Sequence, residues 1–331
     1  MRWTLDEATA AAASPDIHHI VGAPVEVPVV AVDVGEPSEA SALLGTELAR
    51  LPVVTIAVGA GEHSGWDLVA ESPDDLIDAV IATPAAAVVA AQILRSGDRR
   101  SIAEGLLVES LAYASLQGGP EFASWLAGRG RRVRRDLDEP RIEMIDHDDA
   151  VEIVLCRPRL HNLMDAAMRD QLTTALIAAG TDPRRSILIR ATGPSFCGGG
   201  DPAEFGTVSD IASAHLIRSS ANAAPALAKV ADRTTVEIAG PAVGAGIELA
   251  AFAGHIRATP AATFRLPELQ MGLIPGAGGT VSIPARVGRR RTLAWLLSGA
   301  EIDGSTAADW GLVDELIGSA DLSPLPLDRK D

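Results

Sequence analysis

The chain has few cysteines and no long apolar run. Only Cys156 and Cys197 occur, and neither belongs to a CxxC pair or a cysteine-rich frame. This pattern argues against a disulfide framework and against a thiolate zinc site. No stretch approaches the ~20 consecutive apolar residues of a membrane-spanning helix, and the acidic start does not resemble a secretory signal. We therefore expect a cytoplasmic protein in a reducing compartment.

Basic residues are also few in comparison with acidic ones. The sequence has 28 Lys and Arg residues against 44 Asp and Glu residues, which gives a formal net charge of -16. Such a charge disfavours nucleic acid and anionic membranes as partners. At 331 residues, 47% of them hydrophobic, the chain is long enough for one large domain or two with a buried core.

The apolar pattern predicts two α/β halves. Residues 1–24 show no clear periodicity, so we expect a loosely ordered lead-in. Residues 25–135 begin with a β-α-β unit in which Ser38 caps the helix, and continue with helices capped by Ser72 and Ser101. A charge run places the boundary near residues 130–140, and a polar tail occupies residues 319–331.

The second half, residues 141–318, alternates strands and helices. It starts with a predicted β-hairpin, RIEMIDHDDAVEIVLCRP, and continues with a helix at about 163–179, a strand SILIRAT, a helical stretch to about 231, a strand TTVEIAG and a helix from near Gly246. Glycine-rich segments follow the strands. This order predicts an α/β fold whose ligand lies at the strand ends.

Two glycine loops and two glutamates carry the candidate chemistry. The loops are SFCGGGD at 195–201 and PAVGAGIE at 241–248; exposed N–H groups there could stabilise an oxyanion, although a flexible turn is the alternative for the first loop. Glu248 in the second loop could instead stabilise the helix start. Glu268, in LPELQMGLIPG, is either a solvated loop acid or a functional one, since unpaired burial is costly. Together the glutamates suit acid–base chemistry.

These motifs resemble those of the crotonase, or enoyl-CoA hydratase/isomerase, superfamily. SFCGGGD, PAVGAGIELA, FRLPELQMGLIPGAGGT, RVGRRR, LLSGAEIDGSTAADWGLVDEL and the upstream RPRLHNLMD occur in the family's order over about residues 141–318. The resemblance implies a crotonase-like ββα spiral core, an acyl-CoA substrate, no metal or other cofactor, a place in fatty acid metabolism, and a homo-oligomer, either a trimer or a dimer of trimers.

The resemblance also implies roles for individual residues. The oxyanion-hole N–H groups fall on Gly198 and Ala245, and the paired catalytic acids on Glu248 and Glu268, with Glu268 as proton donor and Glu248 as water base. Cys197 is expected to pack beside the hole rather than act as a nucleophile. The residues that it implies for binding the substrate or its coenzyme A moiety are Arg159, Leu160, Leu163, Cys197, Gly199, Gly200, Asp201, Gly246 and Gly276.

The expected function is therefore that of an acyl-CoA lyase, which adds water to a 2-enoyl-CoA or removes it from a 3-hydroxyacyl-CoA. Isomerisation, decarboxylation or thioester hydrolysis of an acyl-CoA would use the same oxyanion hole, and a non-catalytic acyl-CoA binding protein is a further alternative. A dinucleotide-binding module is disfavoured because the glycine pattern of GAGEHSG is incomplete. A serine hydrolase is disfavoured because Ser195 lies in GPSFC rather than GxSxG.

One departure from the family concerns helices. Family members usually continue after GLVDEL with helices that cover the site, and here similar helices precede the core, at about 72–129. Our hypothesis is that the N-terminal half is a shortened crotonase-like unit whose helices substitute for the usual C-terminal ones; an unrelated helical domain is the alternative. Trp125 and Arg129 would then approach the coenzyme A phosphates, with Gly128 at the usual lysine position.

Overall fold

The first sheet of the protein is small and entirely parallel. The computed structural model describes residues 1–21, 27–130, 140–208 and 210–322. Along the central strands, successive side chains point to opposite faces of the sheet, and the apolar residues of each face belong to a different hydrophobic cluster. Both faces of the sheet are therefore buried. In chain order the elements are β1 (Arg2–Thr4), α1 (Leu5–Ala12), α2 (Ile17–Ile20), β2 (Val29–Asp33), α3 (Glu39–Leu48), β3 (Val54–Val58) and β4 (Leu68–Ala70), with strand order β1-β2-β3-β4. The predicted β-α-β unit and the Ser38 cap are confirmed.

The prediction of a loosely ordered lead-in is wrong for residues 1–21. Strand β1 pairs with β2, and Thr4 and Glu7 form a capping box at the start of α1. Ala8 and Ile17 are buried against the sheet. The T-x-x-E signal of the capping box is present in the sequence, but a three-residue strand is too short to show a period.

Four helices lead from this sheet to the second half: α4 (Asp74–Ala82), α5 (Pro84–Leu94), α6 (Ile102–Gln117) and α7 (Pro120–Arg129). Ser101 caps α6 as predicted, in a capping box with Glu104. The cap predicted at Ser72 is wrong, because the N-cap position of α4 is Pro73, which makes no side-chain hydrogen bond. Pro84 cannot continue α4, and the chain bends by 109° there.

No single helix in the described residues is long and apolar enough to cross a membrane. Helix α4 and the segment that begins with α5 at Pro84 reach the required length and composition only when they are taken together, across the bend between them. Most of α5 is buried in the protein core.

The second half contains a six-stranded and a three-stranded sheet. The order of the first is β13-β10-β8-β7-β6-β5, with only the β5–β6 hairpin antiparallel, and that of the second is β12-β11-β9. The predicted hairpin and the α/β alternation are confirmed. The elements are β5 (Ile142–Asp146), β6 (Ala150–Leu155), α8 (Ala166–Ala179), β7 (Ser186–Ala191), α9 (Ile211–Ser220), α10 (Ala224–Lys229), β8 (Thr234–Ile238), β9 (Pro241–Val243), α11 (Ala245–Ala250), β10 (His255–Ala258), β11 (Thr263–Arg265), α12 (Gly279–Val287), α13 (Arg289–Ser298), β12 (Ile302–Asp303), α14 (Gly304–Asp309) and β13 (Glu315–Leu316).

The helices of the N-terminal half share one hydrophobic core with the second half. Helix α6 packs against α9 and α12, α4 and α5 pack against α13, and α7 packs against the 3₁₀ turn Leu269–Met271. The contact is close: a Cβ on Gly105 of α6 would lie 2.7 Å from a methyl group of Val281. Residues 131–139, which carry most of the expected boundary, lie outside the described residues.

Candidate active site

A cleft of about 1430 Å³ lies where the glycine loops of the second half meet α6, α7 and α9. Its walls include Gly198–Asp201 from one loop, Gly244 and Ala245 from the other, and both predicted glutamates. Tyr113 and Trp125 line it from the N-terminal half. The cleft therefore combines the two halves of the chain.

The two glycine loops are joined by backbone hydrogen bonds. Cys197 donates its N–H to the Pro241 carbonyl at 3.2 Å, and Val243 donates to the Cys197 carbonyl at 2.8 Å. A Cβ on Gly246 would lie 2.8 Å from the Cys197 carbonyl oxygen, so only glycine allows α11 to start this close. Cys197 is fully buried, and burial raises the pKa of its thiol to about 12. These features agree with the packing role expected of Cys197.

The loop RPRLHNLMD supports the first glycine loop from its other side. Met164 donates its N–H to the Gly199 carbonyl at 2.8 Å, and Asp201 donates to the Met164 carbonyl at 3.0 Å. The buried Asn162 side chain donates to the carbonyls of Thr192 and Ser195. Sequence reasoning did not single out Asn162, although it lies in a quoted motif. We infer that it holds the loop in place.

The prediction that Gly198 donates to an oxyanion is wrong. Its N–H already donates to the His161 carbonyl at 2.8 Å, so it does not point freely into the cleft. Gly200, two residues later, also lines the cleft, and its N–H has no acceptor within the described residues. The N–H of Ala245, in the first turn of α11, is likewise without an acceptor there. The available pair is therefore Gly200 and Ala245.

Glu248 lies in the first turn of α11 and is only 2% exposed. Its Oε2 accepts hydrogen bonds from the N–H groups of Ala277 at 2.7 Å and Gly279 at 3.0 Å. Burial raises the pKa of this carboxyl group to about 7, while these hydrogen bonds act in the opposite direction. Glu248 can therefore exchange a proton near neutral pH.

Glu268 precedes the 3₁₀ turn Leu269–Met271 and is 5% exposed. Its Oε2 is buried and has no hydrogen-bond partner within the described residues. Burial, and then the charge of Glu248, raises the pKa of Glu268 well above its usual value. Burial therefore favours the neutral form of this carboxyl group.

The two glutamates face the same small space. A Cβ on Gly244 would lie 2.6 Å from Glu268 Oε1 and 3.9 Å from Glu248 Oε1. The backbone of Gly244 has φ +47° and ψ -120°, a conformation that glycine adopts at little cost. Glycine at 244 therefore provides both the backbone turn and the room for the two carboxylates.

A third carboxylate, Glu109 of α6, was not predicted from the sequence. It is 1% exposed, and it accepts hydrogen bonds from the N–H groups of Gly278 at 2.7 Å and Thr280 at 2.8 Å, and from the Thr280 hydroxyl at 2.7 Å. Burial, and then the charge of Glu248, raises its pKa to about 8. No motif marks it, because its partners lie in a distant part of the chain.

Tyr113 and Arg218 lie beside this carboxylate cluster. The Arg218 guanidinium lies 3.9 Å from the centre of the Tyr113 ring, and both residues line the cleft. A Cβ on Gly276 would lie 2.7 Å from the same ring, so Tyr113 covers the glycine that the resemblance assigns to the site. Burial lowers the pKa of Arg218.

The residues expected to bind coenzyme A are only partly brought together. Gly199, Gly200 and Gly276 line the cleft, whereas Arg159, Leu160, Leu163, Cys197 and Gly246 do not. Arg159 is exposed on the 3₁₀ turn Pro158–Leu160, and Leu163 packs beside Gly198 instead. Asp201 lines the cleft, but its carboxylate pairs with the buried Arg157 at 3.1 Å.

Two further predicted features can be located. Arg129 lies 4.7 Å from the centre of the Trp125 ring, and both residues line the cleft next to Phe205; the rest of the basic run, 131–135, lies outside the described residues. Ser195 hydrogen-bonds to His161 Nδ1 at 2.9 Å, but neither residue lines the cleft. A hydrolytic serine is therefore still disfavoured.

Comparison with known proteins points to one family. A sequence model described as Enoyl-CoA hydratase/isomerase matches residues 147–325, more than half of the chain. An enoyl-CoA isomerase/hydratase of Mycosarcoma maydis is 30% identical over 174 residues, which cover 50% of this chain and 64% of that protein. The crystal structure of an enoyl-CoA hydratase from Thermoplasma volcanium is 31% identical and superposes with a TM-score of 0.50, covering 54% of this chain and 71% of that one. The family match excludes α1–α7.

Proposed function

The chain belongs to the enoyl-CoA hydratase/isomerase family, with a crotonase core in its second half, and from this premise we propose that it adds water to a 2-enoyl-CoA. The observation that supports this most is the arrangement of Glu248 and Glu268. Both are buried, and both place Oε1 near the space above Gly244. Oε2 of Glu248 accepts two backbone hydrogen bonds, whereas Oε2 of Glu268 has no partner within the described residues. Two acids with different protonation states suit a reaction that removes one proton and delivers another.

The residues divide the chemistry as follows. The N–H groups of Gly200 and Ala245 polarise the thioester carbonyl and stabilise the enolate that forms from it, an effect worth about 3–4 kcal/mol per donor. Ionised Glu248 takes a proton from water as the water oxygen bonds to C3. The electron pair of the C2–C3 double bond moves into the enolate, and C2 then takes the proton of Glu268. A proton transfer from Glu248 to Glu268 restores the starting state.

We also propose that α6 and α7 cover the cleft. Three contacts support this proposal. Tyr113 of α6 packs over Gly276, Trp125 of α7 lines the cleft, and a Cβ on Gly272 would lie 2.7 Å from the backbone nitrogen of Phe122 in α7. Such cover excludes water from the carboxylates and strengthens the electrostatic interactions there.

The test of the reaction uses wild type, Glu248→Gln and Glu268→Gln with crotonyl-CoA and a longer 2-enoyl-CoA. Loss of the enoyl absorbance measures hydration, and calorimetry measures acyl-CoA binding. We expect hydration by the wild type and a fall of at least about 100-fold in kcat for each variant, as removal of a general acid or base predicts. Wild-type hydration no faster than that of both variants, with binding retained, would instead support an acyl-CoA binding protein. Conversion of a 3-enoyl-CoA without hydration would favour isomerisation.

A further inference from the structure

Four successive backbone N–H groups at the start of α12 are shared by two carboxylates from opposite halves of the chain. Ala277 and Gly279 donate to Glu248, whereas Gly278 and Thr280 donate to Glu109. The distances lie between 2.7 and 3.0 Å. The donors therefore alternate between the two acids along the segment 277–280.

This alternation couples the orientation of the two sets of donors. Each peptide group is a rigid plane joined to the next at a Cα atom, so a rotation of the segment that released Glu109 would also turn the N–H groups bound to Glu248. The first N–H groups of a helix have no partner inside the helix, and the positive end of its dipole favours nearby carboxylates. Glu109 satisfies the two donors that Glu248 does not reach.

We propose that Glu109 is a positioning residue for Glu248: it fixes the segment 277–280, whose N–H groups hold the Glu248 carboxylate. This proposal rests on the proposed function, since it assumes that Glu248 is the base. It makes the N-terminal half a working part of the site rather than only a cover. Glu109 itself is absent from the walls of the cleft among the described residues, so its effect passes through residues 277–280 and not through the substrate.

Several charged and titratable groups surround Glu109. Glu248 on α11, Glu268 before the 3₁₀ turn, Tyr113 on α6 and Arg218 on α9 all interact with it electrostatically. The pKa of Glu109, about 8, lies above that of Glu248, about 7, so Glu109 is still neutral at the pH where Glu248 ionises and does not repel its charge. Replacing Glu109 with glutamine therefore acts on Glu248 through the segment 277–280: displacement of the Ala277 and Gly279 N–H groups weakens hydrogen bonds that lower the pKa of Glu248, so the base should ionise at higher pH.

The substitution disturbs the geometry of this segment. Glutamine keeps the shape of the side chain but presents an NH₂ group where one carboxylate oxygen now accepts, and that group would face an N–H donor of Gly278 or Thr280. The segment must shift to relieve this contact. A displacement of about 1 Å at a catalytic group can cost about 100-fold in rate.

The experiment compares wild type, Glu109→Gln and the matched control Glu104→Gln, which changes an exposed glutamate on the same helix. For Glu109→Gln we expect kcat to fall by about 10- to 100-fold, acyl-CoA binding to stay within about threefold, and the acid limb of the kcat/KM profile to move to higher pH, because the hydrogen bonds that lower the pKa of Glu248 are weakened. Glu104→Gln should leave all three unchanged. Wild-type kcat with an unshifted profile in Glu109→Gln would overturn the proposal, as would a loss of thermal stability without any pH shift.

A measurement independent of activity separates this proposal from the proposed function. Carbon NMR of labelled glutamate carboxyls, assigned with Glu248→Gln, follows the titration of Glu248 directly. A higher pKa of Glu248 in Glu109→Gln, in a protein that does not hydrate any enoyl-CoA, would overturn the reaction but support the coupling. An unchanged titration would overturn the coupling whatever the activity. If Glu109→Gln does not fold, Thr280→Val removes one hydrogen bond to Glu109 and should shift Glu248 in the same direction by less.

Discussion

Substitution of Gly244 by alanine tests whether the space between the two glutamates matters for catalysis. An alanine Cβ would lie 2.6 Å from Glu268 Oε1, a distance that real Cβ contacts essentially never show. Moving the carboxylate out to 3.0 Å requires a shift of 3.0 - 2.6 = 0.4 Å at least. The same Cβ would lie 3.9 Å from Glu248 Oε1, which is an ordinary contact. The substitution therefore displaces Glu268 more than Glu248.

The expected magnitude has two parts. Alanine at a backbone conformation with φ +47° is strained, which costs about 1–3 kcal/mol of stability. Misplacement of the proton donor should lower kcat/KM by about 10- to 100-fold, because about 1 Å can cost 100-fold. That loss corresponds to about 1.4–2.7 kcal/mol of transition-state stabilisation.

The matched control is Gly35→Ala. Gly35 has a similar φ of +64°, but a Cβ there would meet nothing within 4 Å. Both variants should lose stability in denaturant unfolding, and only Gly244→Ala should lose hydration of crotonyl-CoA. The reasoning fails if Gly244→Ala keeps at least half of the wild-type kcat/KM, or if Gly35→Ala loses as much activity as Gly244→Ala.

Two further substitutions address electrostatics and stability. Arg218→Met removes a positive charge that lowers the pKa of Glu248, so the acid limb of the kcat/KM profile should move to higher pH. Arg218→Lys should show a smaller shift, and a move to lower pH would contradict this account. Arg95→Met removes a partly buried cation that donates to both oxygens of the buried Asp67 and to the carbonyl of Leu51. Because Arg289 remains 3.7 Å from Asp67, unfolding in denaturant should show a loss of about 3 kcal/mol, the lower end for a broken buried pair, with partial recovery when Asp67→Asn is added.

Features that depend on local pattern could be predicted from the sequence. The β-α-β unit, the β5–β6 hairpin and the Ser38 and Ser101 caps all follow from short-range signals, and the structure contains them. The Ser72 cap is wrong because Pro73 takes the N-cap position, a choice between adjacent residues that the pattern does not resolve.

The candidate site could be predicted only in part, for a physical reason. Both glutamates were found because glycines surround them in the sequence. Gly198 and Gly200 are both glycines of the same loop, so the sequence does not show which N–H group is available to an oxyanion. The structure does, because the Gly198 N–H donates to the His161 carbonyl. Glu109 could not be found, because its role depends on donors 169 and 171 positions away.

The long sequence separation between Glu109 and its hydrogen-bond donors has a consequence for how the protein folds. A contact that closes a loop of about 170 residues costs more chain entropy than a local one, and folds rich in such contacts form slowly. The partners of Glu109 must be synthesised after most of the second half, so the N-terminal helices emerge from the ribosome with a carboxylate that has no donors yet. We therefore expect Glu109 to be solvated during early folding and to lose its water only in a late docking step. Refolding kinetics that follow the single Tyr113 would report that step.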